Sequence, residues 1–335
     1  MGSLLKAENI SKEYVSGTFI KKRNLALKPV SFSIDDNTPS ITAIAGESGS
    51  GKTTFARVLA GILDKSSGVL RYQDKDLDYM TKDEELNFKK EVQTIFQDPF
   101  EVYNPFYKVD HVLTTPLKKF GMASSKSESD EMIISALEEV GLRPDETLGR
   151  YPHQLSGGQR QRIMVARAFL LRPKIIIADE PVSMVDASLR ATILEELKNL
   201  RKNHNISIIY ITHDLTTAYQ VADNIMILYK GQVVEAGSVE NVINKPAHPY
   251  TKLLTDCIPR PDPTQKWSKT SGDISVKSRV IKGCNCAFCN LNEEKESFTD
   301  IYEFKKNQIV SCKLTKKMKL CSGNEISKYF VKPKK

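Results

Sequence analysis

The sequence predicts an α/β fold built around a mostly parallel β-sheet, and three observations carry that prediction. Residues 175–178 and 206–211 are continuous apolar runs, as expected of parallel strands that are covered on both faces. A third run, 41–45, leads directly into a glycine-rich loop, and a helical pattern follows over 53–63. Strand, loop and helix in this order is the context in which such a loop binds phosphate.

The remaining elements follow from local patterns along the chain. Strands are predicted at 5–10 and 30–34, with a polar loop over 16–28 between them. Helical spacing of apolar residues within 110–150 ends at Gly141. Further predicted elements are helices at 159–169 and 187–203 and a hairpin over 225–236 that turns at Lys230 and Gly231. Prolines 259, 261 and 263 mark a boundary, which divides the chain into 1–258 and 259–335.

Length and charge limit the classes of protein that fit. At 335 residues and 40% apolar residues, the chain has room for one α/β domain and a smaller appendage. The net charge of +8 comes from residues 261–335, which contain 16 Lys and Arg against 8 Asp and Glu. A solvated lysine-rich tail explains this excess; an anionic lipid surface is an alternative partner, and nucleic acid is disfavoured because few aromatics accompany the lysines. We find no apolar run that approaches a membrane span and no signal peptide, so we expect a cytosolic protein.

The loop over residues 46–53, here called the phosphate loop, matches the pattern GxxxxGK[ST]. Its glycines let successive backbone N–H groups face the phosphates of a nucleoside triphosphate, beside the positive end of the next helix. Lys52 is expected to neutralise phosphate charge, and the hydroxyl of Thr53 to bind Mg²⁺. The candidate nucleotide-binding residues in this stretch are Gly46, Glu47, Ser48, Gly49, Ser50, Gly51, Lys52, Thr53 and Thr54.

Polar residues at the ends of two predicted strands add the groups needed for hydrolysis. Asp179 ends one apolar strand, where it can hold Mg²⁺, and Glu180 follows it, where a carboxylate can polarise an attacking water. His213 follows the neighbouring strand and therefore emerges at the same edge of the sheet. We expect His213 to contact the terminal phosphate.

A second segment makes the pattern specific. Residues 155–159, Leu-Ser-Gly-Gly-Gln, precede a basic helix; together with the phosphate loop they resemble the ATP-binding-cassette (ABC) ATPases over residues 5–250. The resemblance implies a cassette fold with an N-terminal antiparallel β part and a helical subdomain at about 98–165. It implies that this signature segment binds the ATP of an opposing subunit. It also assigns Gln97 to Mg²⁺ and the attacking water. The residues carried over as nucleotide contacts are Tyr14 on adenine, the signature residues Ser156, Gly157, Gly158 and Gln159, and Asp186 across the dimer.

Further segments resemble the dipeptide, oligopeptide and nickel importers within that family. They are Phe-Gln-Asp-Pro-Phe at 96–100, Tyr-Pro-His-Gln at 151–154, Pro-Val-Ser-Met-Val-Asp at 181–186 and His-Pro-Tyr-Thr-Lys-Leu-Leu at 248–254. The resemblance implies two transmembrane permease subunits, a second and non-identical ATPase, an extracytoplasmic solute-binding protein, and a place at the cytoplasmic face of the membrane. Peptides are the expected cargo, with oligosaccharides or nickel as alternatives. A soluble ATPase acting on nucleic acid or ribosomes, a sensing ATPase and an exporter are less favoured rivals.

All six cysteines lie after residue 256. Cytosolic thiols stay reduced, so such clustering favours a metal or cluster site over disulfides. Importers of this type often end in a domain with a [4Fe–4S] cluster, and Cys284, Cys286, Cys289 and Cys312 resemble its ligands, although their spacing is compressed. An iron–sulfur cluster, zinc and no metal remain open. Cys321 is a spare ligand and Cys257 is expected to be structural.

Overall fold

The computed structural model describes residues 2–17, 21–98, 103–183, 185–258, 301–305, 308–311 and 319–320. Two β-sheets and ten α-helices form these parts of the chain. A four-stranded sheet lies at the N-terminal side, and a nine-stranded sheet forms the centre.

The four-stranded sheet is antiparallel, in the order β2-β1-β4-β5. Its strands are β1 (Ser3–Ser16), β2 (Lys22–Asp35), β4 (Ser67–Tyr72) and β5 (Lys75–Asp76). The prediction of a loop over 16–28 was wrong, because residues 22–28 belong to β2 and pair with the end of β1. Tyr14 pairs with Asn24 in this two-stranded extension. Its side chains are largely exposed, so the apolar pattern that marks a core strand is weak there.

The central sheet has the order β13-β11-β12-β10-β9-β3-β8-β7-β6. Five of its strands run parallel to their neighbours: β3 (Ile41–Ala45), β6 (Val92–Ile95), β7 (Ile175–Asp179), β8 (Ser207–Thr212) and β9 (Asn224–Tyr229). The parallel core is therefore confirmed. The antiparallel remainder consists of β10 (Gln232–Ser238), β11 (Tyr302–Lys305), β12 (Gln308–Val310) and β13 (Lys319–Leu320).

The helices pack on both faces of this sheet. They are α1 (Lys52–Leu59), α2 (Lys82–Glu91), α3 (Asp110–Lys119), α4 (Lys126–Glu139), α5 (Pro144–Thr147), α6 (Gly157–Phe169), α7 (Ala187–His204), α8 (Leu215–Val221), α9 (Val239–Asn244) and α10 (Pro249–Asp256). Helix α1 ends four residues earlier than predicted. Gly61, with φ of 65°, lies where a left-handed conformation terminates the helix.

The core consists of two apolar clusters, one on each face of the central sheet. In β7, Ile176 and Ala178 belong to one cluster while Ile175 and Ile177 belong to the other. This alternation explains why the parallel strands are apolar at every position. Because these strands point the same way, the residues that follow them collect at one edge of the sheet. No helix in the described ranges is long and apolar enough to cross a membrane.

The C-terminal region contributes strands to the central sheet. Strand β12 pairs antiparallel with β10, and the backbone N–H of Ser311 donates to the carbonyl of Val234 at 2.9 Å. The predicted cluster ligands Cys284, Cys286, Cys289 and Cys312, and the spare Cys321, lie outside the described residues. Cys257, expected to be structural, is exposed with a free thiol.

Candidate functional site

The phosphate loop connects β3 to α1 and is packed tightly against β2, β9 and the turn that follows β9. Gly51 has φ of 98°, and a Cβ there would lie 2.7 Å from the carbonyl oxygen of Ala26. Gly46 has φ of 151° and lies against the backbone carbonyl of Leu228. The backbone N–H of Gly231 donates to the carbonyl of Ser50 at 2.9 Å. Glycine is required at positions 46 and 51 by both conformation and space.

Lys52 is held inside this loop. Its Nζ donates to the carbonyl oxygens of Gly46 at 2.8 Å and Glu47 at 2.9 Å, and the residue is only 5% exposed. Burial lowers the pKa of Lys52, while the carboxylates of Glu180, Asp179 and Glu47 act in the opposite direction. Among the described residues Lys52 forms no direct salt bridge. A buried ammonium bonded only to carbonyls is suited to receive a phosphate group.

Thr53 and Asp179 form an oxygen-rich pair beside the loop. The Thr53 hydroxyl lies 3.4 Å from Oδ1 of Asp179, and burial raises the pKa of that carboxyl group. The hydrogen bond from Thr53 lowers the pKa again in part. A hydroxyl and a carboxylate beside a phosphate site are the donors that Mg²⁺ prefers. The Thr53 hydroxyl and the Asp179 carboxylate are therefore suited to hold a magnesium ion, which would neutralise phosphate charge at this site.

Glu180 is held between two other side chains. Its carboxylate accepts a hydrogen bond from Nε2 of Gln97 at 3.0 Å and lies 3.1 Å from Nδ1 of His213. Glu180 also has φ of 46°, unusual for a residue other than glycine, and its N–H donates to the carbonyl of Ile211 at 2.9 Å. Strained backbone of this kind is found at functional sites. The structure thus brings together the three residues predicted to be catalytic.

These groups line one open cavity of about 960 Å³. Such a volume accommodates a nucleotide-sized ligand. Of the residues predicted from sequence, its lining includes Glu47, Ser48, Gly49, Gly51, Lys52, Thr53, Thr54, Gln97, Glu180 and His213. The rest of the lining was not predicted: Asn24, Leu25 and Ala26 of β2, the Lys230–Gly231 turn, and Leu254 of α10.

The signature segment lies outside that lining. Ser156 caps helix α6: its Oγ accepts the N–H of Gln159 at 3.2 Å, and Oε1 of Gln159 accepts the N–H of Ser156 at 2.9 Å. Gly158 is buried, and a Cβ there would lie 2.3 Å from Cδ1 of Leu189. Ser156 is exposed and Gly157 and Gln159 are partly exposed, so these three residues of the segment reach solvent, whereas Leu155 is buried.

Four other predicted nucleotide contacts also lie apart from the cavity lining: Gly46 and Ser50 of the phosphate loop, Tyr14 and Asp186. Tyr14 is 42% exposed, with Nζ of Lys12 5.5 Å from the centre of its ring. Asp186 is exposed at the N-terminus of α7. Asp179 is not part of the lining either, but its bond to Thr53 places it directly behind the phosphate loop.

One contact at the phosphate loop had no counterpart in the sequence interpretation. The hydroxyl of Tyr250 accepts the backbone N–H of Glu47 at 3.1 Å. The segment that contains Tyr250 was recognised as typical of a group of importers, but its spacing says nothing of the loop, which lies 203 residues earlier. Only folding reveals this contact.

Comparisons with known proteins agree with this geometry. A family model described as "ABC transporter" matches residues 27–183, and one described as "Oligopeptide/dipeptide transporter, C-terminal region" matches residues 234–295. The chain is 39% identical over 245 residues to the oligopeptide transport ATP-binding protein OppF of Escherichia coli K12, an alignment that covers 72% of this chain and 73% of that one. It is 38% identical over 288 residues to the dipeptide transport ATP-binding protein DppF of Haemophilus influenzae, covering 84% and 86%.

Solved structures show the same fold. The ATP-binding cassette MJ0796, in a dimeric post-hydrolysis state bound to ADP and Pi, superposes with a TM-score of 0.63 at 26% identity, covering 70% of this chain and 98% of that one. CbiO1 from Clostridium perfringens, part of the ABC transporter complex cbiONQ, superposes with a TM-score of 0.63 at 27% identity, covering 73% and 92%. The cassette fold expected from the resemblance is therefore confirmed.

Proposed function

Because this chain belongs to the family of ABC transporter ATP-binding subunits of the oligopeptide and dipeptide type, we propose that it hydrolyses ATP to power peptide import through membrane permease subunits. The observation that carries the chemistry is the carboxylate of Glu180, bonded to Gln97 and next to His213 in the cavity that the phosphate loop opens into. A base, its positioning groups and a phosphate cradle are the minimum set for phosphoryl transfer to water.

Within the site, this proposal assigns a role to each residue. The loop N–H groups and Lys52 bind the β- and γ-phosphates, and Glu180 accepts a proton from the attacking water. Gln97 orients that water, and His213 stabilises the charge that develops on the γ-phosphate. Thr53, Asp179 and Gln97 would hold Mg²⁺, which when bound neutralises charge on the phosphate oxygens.

A second cassette completes the site. Ser156, Gly157 and Gln159 are unburied, and neither they nor Asp186 line this chain's own cavity, so they are available to the nucleotide of a partner. We propose a non-identical ATPase as that partner, with ATP bound between the two chains and Tyr14 against the adenine. Closure around ATP and reopening after hydrolysis would move two permease subunits at the cytoplasmic face of the membrane.

The transport proposal is tested with the assembled system. The chain is co-expressed with two permease subunits, a second ATPase and a solute-binding protein, and the assembly is reconstituted in vesicles. We expect uptake of labelled peptide that requires ATP and is outcompeted by peptides, not by oligosaccharides or nickel. Competition by either of those solutes, or copurification with rRNA or DNA in place of permeases, would contradict it.

We also propose that the C-terminal cysteines Cys284, Cys286, Cys289 and Cys312 hold a [4Fe–4S] cluster. The first three fall within residues matched by the importer C-terminal family. Thiolates are soft donors suited to iron–sulfur clusters or zinc. Anaerobically purified protein is expected to contain iron and absorb visible light, and the double change C284S/C289S to abolish both. Colourless protein that contains zinc, or no metal, would exclude the cluster.

A further inference from the structure

The hydroxyl of Tyr250 on helix α10 contacts the start of the phosphate loop. It accepts the backbone N–H of Glu47 at 3.1 Å, and the residue is 2% exposed. Its ring packs against Tyr229 with centroids 4.5 Å apart, which fixes its direction. Burial raises the pKa of Tyr250, so the hydroxyl stays neutral at physiological pH. The contact is therefore a well-placed neutral hydrogen bond.

The N–H of Glu47 and the carbonyl of Gly46 belong to one planar peptide unit. That carbonyl accepts the hydrogen bond from Nζ of Lys52 at 2.8 Å. Tyr250 therefore holds one end of the peptide whose other end orients the phosphate-binding lysine. Gly46 has no side chain to restrain rotation of this unit, so hydrogen bonds at both ends matter more here than at an ordinary residue.

A buried carboxylate secures the segment that carries Tyr250. Glu235 of β10 accepts the backbone N–H groups of Ala247 and His248, each at 2.9 Å, and Nε2 of Gln308 at 2.6 Å. Nδ1 of His248 in turn accepts the N–H of Tyr250 at 3.1 Å and caps α10. Glu235, His248 and Gln308 are all fully buried. Gln308 lies on β12, so the carboxylate of Glu235 joins β12 to the start of α10.

We propose that Tyr250 is a positioning residue for ATP binding. It is held in place by Glu235 and, through Gln308, by β12. The hydroxyl fixes the Gly46–Glu47 peptide, that peptide orients Lys52, and Lys52 binds phosphate. A displacement of β12 would therefore change how Lys52 is oriented toward the nucleotide. This inference rests on the proposed function only in requiring that the phosphate loop binds ATP.

The first test removes a single oxygen atom. In Y250F the full-length chain is expected to bind ATP about two- to tenfold more weakly, the range for one hydrogen bond. In the assembled transporter the KM for ATP should rise by the same factor while kcat changes by less than about twofold. The matched control is Y72F, which removes an equally buried hydroxyl that donates to Glu91 at 2.6 Å, away from the cavity lining.

The outcomes separate the inference from the proposed function. Equal losses of ATP affinity in Y250F and Y72F would mean that only general stability had changed, and would overturn the inference. Unchanged affinity in Y250F, with normal ATP binding by the wild type, would also overturn it and leave the proposed function intact. Failure of the wild type to bind ATP would instead contradict the proposed function.

A second test asks whether Glu235 acts through Tyr250. E235Q places an amide against the N–H donors of Ala247 and His248 and is expected to weaken ATP binding. The same change in a Y250F background should weaken it little further, because coupled residues are not additive. Full additivity would contradict the proposed connection. If E235Q does not fold, Q308M removes the amide of β12 that donates to Glu235 and leaves the carboxylate in place. ATP affinity is then compared for Q308M with and without Y250F.

Discussion

The phosphate-loop region and the signature region of this cassette differ in the hydrogen-bond partners of their polar side chains. At the phosphate loop, side chains from distant parts of the chain bond to one another: Glu180 with Gln97 and His213, and Thr53 with Asp179. At the signature, the side chains of Ser156 and Gln159 each accept the backbone N–H of the other residue, as a helix cap. The first region is assembled for chemistry within one chain. In the second region Ser156 is exposed and Gly157 and Gln159 are partly exposed, as the proposed contact with a partner requires.

The change with the largest expected effect removes the base from the first region. In E180Q the amide keeps the shape of the carboxylate but cannot accept the proton, so ATP turnover in the assembled transporter should fall about 10²–10⁴-fold. ATP binding should remain, since Lys52 and the loop are untouched. Phosphate release and nucleotide binding measured on the same preparation check this. Wild-type turnover in E180Q would refute the role given to Glu180.

A pair of variants at Ser156 tests whether the signature acts on a partner's nucleotide. Both Asp and Asn are good N-caps, so S156D and S156N should keep helix α6. Only S156D places a negative charge toward the partner's phosphate, and we expect turnover in the assembled pair to fall about a hundredfold, since like charges at an interface cost several kcal/mol.

The isolated chain distinguishes the two regions. ATP binding by separate S156D protein should equal that of S156N and wild type, because Ser156 is not part of this chain's own cavity. A loss of binding in the isolated S156D chain would place the signature in the chain's own site and remove the contrast between the regions.

The smallest expected effect concerns a buried acid behind the signature. Glu196 of α7 is buried near Arg162 of α6, and within the described parts its carboxylate has no hydrogen-bond partner. Burial raises the pKa of Glu196 to about 7, an effect that Arg162 opposes. The folded state therefore binds this proton more tightly than the unfolded state. Its contribution to stability is full at low pH and is lost as the pH rises from the unfolded pKa through about 7.

E196Q should remove that pH dependence and raise the free energy of unfolding above pH 7 by about 1–3 kcal/mol. Urea unfolding between about pH 5 and pH 8 measures it. The control is E195Q, because Glu195 is the exposed neighbour on the same helix. If the free energy of unfolding of E196Q and wild type depended on pH in the same way, the pKa of Glu196 would not be raised by burial. The unpaired carboxylate of Glu196 would then not distinguish the signature region from the phosphate-loop region.

Most of the parallel core and the phosphate site followed from the sequence alone. Continuous apolar runs in residues 175–178 and 206–211 indicate strands covered on both faces, and consecutive parallel strands deliver their following residues to one edge. Glu180 and His213 could therefore be placed together from the pattern of strand ends. The N-terminal part of β2, residues 22–28, was missed, because an extension that is largely exposed and held by backbone pairing leaves little trace in the apolar pattern.

What the sequence by itself determined is the chemistry of residues that act within short segments: a loop for phosphate, acids at strand ends and a signature segment before a basic helix. Only the tertiary structure decided which segments share the site. It placed the Lys230–Gly231 turn and Leu254 in the wall of the cavity, Tyr250 on the Glu47 peptide, and Glu235 beneath α10. The physical reason is that these contacts join backbone groups and hydroxyls far apart in the chain, and such groups meet in a geometry set by packing, not by spacing.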